Sequence, residues 1–139
     1  AVHAGWRGTV NRILAKTLHR MQSAYGTRGT DVIACIGPGI SLDSFEVGDE
    51  VYEAFRTKNF PMEYISVWKP ETHKYHIDLW AANRLQLSDF GVPPRQIENA
   101  GICTYRQHED FFSARRLGIK SGRILSGIML NRQEKEERK

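Results

Sequence analysis

Only two cysteines occur in 139 residues, Cys35 and Cys103, too few for the disulfide framework that holds small secreted domains together. Both lie in apolar, strand-like surroundings. Two reduced thiols are therefore the simpler expectation, with one buried bridge as the alternative. No apolar run approaches the roughly 18–20 residues that cross a bilayer, and no charged start leads into a hydrophobic stretch of the signal-peptide kind. A cytoplasmic protein with no membrane contact is expected. Gly-x-Ser-x-Gly, phosphate-loop, His-Glu-x-x-His and paired Cys-x-x-Cys motifs are all missing, which removes the commonest local signatures of serine hydrolases, NTPases, zinc proteases and zinc ribbons.

What is present is ordinary in bulk. Hydrophobic residues make up 40% and charged residues 26%, close to the averages of globular proteins. A chain of this length can bury one core, so residues 1–130 are expected to belong to a single domain and the polar stretch 131–139 to fray. The net charge is +4. Glu134, Glu136 and Glu137 interrupt the basic tail, and elsewhere acids alternate with bases, which points to a solvated surface rather than a polynucleotide groove. No nucleic-acid partner is expected, and the oligomeric expectation is a monomer or weak homodimer.

The opening Ala1-Val2-His3-Ala4-Gly5 reads as the end of a strand entering a turn with no preceding partner, as in a chain cut within a fold. From Thr9 to Tyr25, Val10, Ile13, Leu14, Leu18 and Met21 recur at helical spacing up to Gly26, which predicts one amphipathic helix. Strands are expected over Asp31–Ile36, Tyr64–Trp68, Tyr75–Ile77, Glu98–Thr104 and Arg123–Leu130. Two more helices are expected: Gly48–Lys58, and Leu79–Phe90 capped by Asp78 and closed by Gly91. The segment Tyr105–Gly122 has neither periodicity. Alternating strands and helices give an α+β fold of mixed α/β layers, with helices packed on a mixed sheet.

Two stretches concentrate chemistry. His3-Ala4-Gly5-Trp6-Arg7-Gly8 packs an imidazole, an indole and a guanidinium into one strand-to-helix connection. Gly5 and Gly8 would let backbone approach a ligand, a helix start offers N–H groups to an anion, and a neutral His3 can bind metal. A hydrogen-bonded core histidine beside a packed tryptophan is an equal alternative. The second stretch, Phe111-Phe112-Ser113-Ala114-Arg115-Arg116, precedes Lys120, Ser121 and Arg123. Forked guanidinium donors match phosphate oxygens, although a solvated basic loop anchored by the phenylalanines fits the same residues. His73 and His76 would fall on opposite faces of a strand, His108 is a weak acid–base candidate, and Cys103 could be a ligand or nucleophile, although a small buried hydrophobe is the commoner role.

Taken in order, His3-Ala-Gly-Trp-Arg-Gly8, Ile36-Gly-Pro-Gly-Ile40 with Phe45-Glu-Val-Gly48, and Asp78-Leu79 resemble the successive signatures of the YfiH-type laccase-domain family. So do Gly91-Val92, Cys103-Thr104, Phe111-Phe-Ser113 with Arg115-Arg116, and Gly122-Arg123. The resemblance implies a YfiH-like fold with its amino-terminal part missing. It also implies a zinc-dependent purine nucleoside phosphorylase acting on adenosine, inosine and methylthioadenosine, with accompanying adenosine deaminase activity. One zinc would be held by two histidines and a cysteine. Only His3 matches a ligand position, because the Gln-Val-His and Ala-Asp-Cys contexts of the other two belong upstream. By motif position and chemistry, Arg7, Ser113 and Arg115 become catalytic candidates, and Trp6, Phe112 and Arg116 substrate contacts. Ala114 replaces the family's usual tyrosine, which bears on substrate preference. The rivals are a catalytically incomplete binding or scaffold module and a copper-dependent polyphenol oxidase; one histidine without a neighbouring methionine or cysteine gives the copper site no support.

Overall fold

The computed structural model describes residues 1–129. The stripe expected to form one helix from Thr9 forms two. Helix α1 covers Trp6–Val10 and α2 covers Ile13–Tyr25, and Arg12 between them is left-handed, with φ of 56°. That conformation costs a non-glycine residue about 1–2 kcal/mol. Two contacts offset it: the Arg12 guanidinium donates to the Lys58 carbonyl at 3.1 Å and lies 4.4 Å from the centre of the Phe60 ring. Gly26 ends α2 in the left-handed region, with φ of 68°, as its position predicts.

Strand β1 (Ala34–Ile36) is shorter than expected, because a 3-10 turn at Gly29–Asp31 takes its start. After β2 (Glu46–Val47) comes α3 (Asp49–Thr57), close to the predicted helix. The strand expected over Tyr64–Trp68 is divided between α4 (Met62–Ile65) and β3 (Ser66–Lys69). Pro61 nucleates the helical turn, its carbonyl accepting from the Tyr64 and Ile65 amides at 2.9 and 3.1 Å. Then follow β4 (Lys74–Ile77) and α5 (Leu79–Asp89). Asp78 caps α5, accepting from the Ala81 amide at 2.9 Å.

Past α5 the expectations hold less well. Strand β5 spans Ile97–Asn99 only. Gly101, with φ of 66°, turns the chain away, and parallel pairing returns as a single bridge between Gly39 and Cys103. A short helix, α6 (Ala114–Leu117), stands in the segment read as irregular. Residues 123–129 form no strand: Arg123 turns back on the carbonyls of Ile119, Ser121 and Gly122 instead of meeting a ladder. Leu130 and the tail 131–139 lie outside the described residues.

The α+β class stands, but parallel and antiparallel strands fall into two sheets rather than one. β1 and β5 pair in parallel, Ala34 opposite Ile97, while β2-β4-β3 is antiparallel, with Glu46 opposite His76 and Trp68 opposite Tyr75. Each sheet has its own apolar cluster. Val47, Val51, Phe55, Ile65 and Ile77 lie in the first; Leu18, Leu87, Val92 and Ile97 form the second. Helix α5 serves both, giving Leu79 and Ala82 to one and Leu87 to the other. Phe55, Ile65 and Ile77 are fully buried, each side chain stabilising the fold by about 1.5–3 kcal/mol.

Candidate active site

The first stretch folds onto itself. A Cβ on Gly5 would stand 3.2 Å from the His3 Nε2, and one on Gly8 would stand 3.3 Å from the His3 carbonyl oxygen and 3.1 Å from Ile13 Cγ2. The glycines thus make room for the loop's own imidazole and backbone. His3 is exposed and free of the core role that was its alternative. Trp6 packs against the first apolar cluster, and the exposed Arg7 guanidinium lies 4.4 Å from its ring centre.

What fixes this loop is a residue that sequence reasoning passed over. Thr9 is fully buried, and its hydroxyl donates to the Ala4 carbonyl at 3.0 Å. Asn83 Nδ2 donates to the same hydroxyl at 3.0 Å and to the Leu79 carbonyl at 2.8 Å. Gln86 Nε2 donates to the Thr9 carbonyl at 3.3 Å, while its Oε1 accepts from the Ala15 amide at 3.1 Å. The network ties the histidine loop to α5 and also closes the first turn of α2, which Arg12 leaves without a side-chain cap. The available signal was a hydroxyl side chain, Thr9, at the start of an apolar helical pattern.

The second stretch is anchored against β2. Arg115 Nη1 donates to the Glu46 carbonyl at 2.7 Å, and its guanidinium lies 5.3 Å from the Phe45 ring centre. Ser113 is buried and caps α6, its hydroxyl accepting from the Arg116 amide at 3.4 Å. Arg116 lies over Tyr105 at 5.1 Å. Phe112 is half exposed and packs where Gly122 leaves no room for a Cβ. Both stretches border the first apolar cluster, through Trp6 on one side and Phe45 on the other. Among the described residues no hydrogen bond, ion pair or stacking contact joins them directly.

Elsewhere the candidates separate. His73 sits in the β3–β4 turn with φ of 53°, whereas His76 is buried, its Nδ1 donating to the Leu42 carbonyl at 2.9 Å and its Nε2 lying 3.7 Å from Glu46. They do not share a ligand position. Glu46 is held below the usual carboxylate range, first by a hydrogen bond from Thr72 and also by Lys74 and His76, against an opposing effect of burial. Cys35 and Cys103 are both free. Cys103 is more than the small hydrophobe expected. Burial pushes its thiol up, but the Ser41 and Ser44 hydroxyls and the Ser41 and Arg106 amides outweigh this and bring it down to about 7. The Ser41 hydroxyl lies 3.1 Å from Sγ. His108 is half-buried in the turn before Phe111.

A protein zinc site takes at least three side-chain ligands. Among the described residues no group of three or more His, Cys, Asp or Glu is placed to hold a metal. His3 offers one exposed imidazole, and no second donor beside it completes a set among the described residues.

A family model described as multi-copper polyphenol oxidoreductase laccase matches residues 1–131. The chain belongs to that family. A relative from Bacteroides thetaiotaomicron, named purine nucleoside phosphorylase, is 65% identical over 132 residues, covering 95% of this chain and 49% of its own length. A second, named adenosine deaminase RL5 and from an unknown prokaryotic organism, is 50% identical over 126 residues, covering 91% of this chain and 48% of its own. Among solved structures, YfiH of Bacillus licheniformis superposes with a TM-score of 0.74 at 32% identity, and YlmD of Geobacillus stearothermophilus with 0.73 at 34%. Each superposition covers 83% of this chain and 43% of the other. The chain therefore spans about half the length of the relatives it matches. It shares the YfiH-like fold over the part that the superpositions cover.

Proposed function

We propose that this chain forms the arginine-bearing half of a cytoplasmic enzyme acting on purine nucleosides. It would phosphorolyse adenosine, inosine and methylthioadenosine to base and ribose 1-phosphate, with adenosine deamination as a second activity. The observation that carries the proposal is that relatives named for these two reactions each match more than nine-tenths of the chain, at 65% and 50% identity. In phosphorolysis an oxygen of the phosphate dianion bonds to the anomeric carbon while the bond from that carbon to the purine nitrogen breaks. The departing base takes up a proton. A site for this step must neutralise a dianion, which suits the exposed guanidinium of Arg7 and the Arg115 donors not given to Glu46. Trp6 and Phe112 offer aromatic faces to a base, and Arg116 and Ser113 shape the loop beneath.

His3 would hold a zinc together with two donors outside this chain, and the metal would supply activation of water for deamination. The experiment pairs the chain with the remaining half of the fold. Metal content is measured by elemental analysis, and base release from inosine is followed with and without phosphate. Zinc at one equivalent and phosphate-dependent hypoxanthine release support the proposal. Copper instead of zinc, or release that ignores phosphate, would count against it. The shortage of metal donors among the described residues favours a second, narrower reading: this chain by itself is a catalytically incomplete binding or scaffold module that does not carry out the metal-dependent deamination.

A further inference from the structure

Over its first 55 residues the chain departs from the alternation of acids and bases expected of it. Residues 1–28 carry five bases, Arg7, Arg12, Lys16, Arg20 and Arg28, and no acid, which more than accounts for the net charge of +4. Residues 29–55 carry six acids, Asp31, Asp43, Glu46, Asp49, Glu50 and Glu53, and no lysine or arginine. Folding does not neutralise one block with the other. Among the described residues the sole ion pair between them is the local Arg28–Asp31 contact at 3.1 Å, while Lys16, Arg20, Asp43, Asp49 and Glu50 are exposed and enter none.

Helix α3 carries its charges where a helix favours them, Asp49 and Glu50 in the first turn and Arg56 in the last. Helix α2 does the reverse. Arg12 stands at its N-cap and Lys16 four residues on, the first turn holds no acid and the last no base, so these cations oppose the helix dipole. Lys16 and Arg20 also lie one turn apart, where like charges destabilise a helix. Asp89 of α5 lines a groove with Arg12 and His19, yet among the described residues it pairs with neither. The basic face of α2 thus works against its own helix. We propose that this face is an interaction surface whose occupant is a second copy of this chain, received through the acidic face of Asp43, Asp49 and Glu50. A polyanion would answer the bases and leave the acids unanswered, whereas a second copy answers both. The inference concerns assembly alone and stands whether or not the purine reading holds.

Contacts between exposed charges are weak and screened by salt. Sedimentation velocity is therefore compared at ~10 mM and ~1 M salt, where the Debye length is about 30 and 3 Å. Association at the lower salt, with a constant that falls by about tenfold or more at the higher, is expected. Lys16→Glu with Arg20→Glu should abolish association without lowering the melting temperature, because it removes the repulsion along α2. Asp43→Lys with Asp49→Lys should abolish it as well, and mixing the two variants should restore it, since each then offers the charge that the other needs. Arg95→Glu with Lys120→Glu, an equal change of charge outside both blocks, should not weaken it. A chain that stays monomeric at ~10 mM salt overturns the proposal, as does association that ignores salt or survives the reversal of either block. So does a mixture of the two folded variants that stays monomeric, or a monomer that binds oligothymidylate through Lys16 and Arg20, which would assign the face to nucleic acid.

Discussion

Gln86 is only 1% exposed and answers two backbone groups at once, the Thr9 carbonyl and the Ala15 amide. Replacing it by leucine keeps volume but strands both groups away from water, at about 1–3 kcal/mol each. Gln86→Leu should therefore lower the midpoint of urea unfolding clearly, and Gln86→Glu less so at a pH acid enough to keep the buried carboxyl protonated, when it still donates to Thr9 and accepts from Ala15. Equal loss from both would show that the amide network is not what holds α2 to α5. Cys103 gives a pH prediction. Its thiol ordinarily titrates near 9.0 and is held at about 7 in the fold, so the folded state favours the thiolate. That contribution is absent below pH ~7, grows as pH rises between about 7 and 9, and is complete above 9. In a Cys35→Ser background, the stability gap between the protein and its Cys103→Ser variant should widen over that window. Ser41→Ala should move the ultraviolet thiolate titration upward, and no movement would remove Ser41 as a cause.

At the scale of elements, α3 and α5 were legible because each carries its own stop and start: Asp78 before α5, and Gly91 with φ of 93° after it. Where no local signal exists, the sequence misleads. Nothing in Asn11-Arg12-Ile13 announces a left-handed arginine, because its contacts lie with Lys58 and Phe60. Tyr64–Trp68 is an apolar run too short for periodicity to separate helix from strand, and Pro61 decides it. One packing contact was equally hidden. A Cβ on Gly29 would sit 2.3 Å from the carbonyl carbon of Gly91, so the 3-10 turn before β1 meets the end of α5 backbone to backbone. No side chain can move aside there. Gly29→Ala should cost more than about 2 kcal/mol, in the range of overpacked cores, and thermal denaturation should show it. His73→Gly makes the opposite case: the residue is exposed with φ of 53°, and glycine should raise stability by about 1 kcal/mol. An unchanged or lower melting temperature would mean that the His73–Trp68 edge contact, at 6.3 Å, matters more than the backbone.

For the whole molecule the decisive fact is that two apolar clusters share one helix. The two candidate stretches stand out in the sequence by their density of histidine, tryptophan and arginine, but their placement does not. Thr9 and Asn83 stand 74 positions apart, and only the folded chain shows that the histidine loop leans on α5. If α5 couples the clusters, the chain melts in one step. Ile97→Val removes one methyl group from the second cluster, costing about 0.5–1.5 kcal/mol, and touches nothing in the first. Trp6 packs on the first cluster, so in a background with Trp68 and Trp80 replaced by phenylalanine its fluorescence is blind to Ile97 except through cooperativity. Under coupling, Ile97→Val lowers the fluorescence and far-ultraviolet circular dichroism midpoints by the same amount. If the circular dichroism midpoint falls while the tryptophan midpoint stays, the clusters unfold separately. The loop carrying His3 would then keep its shape after the β1–β5 sheet is lost, and α5 would be a shared wall rather than a coupling element.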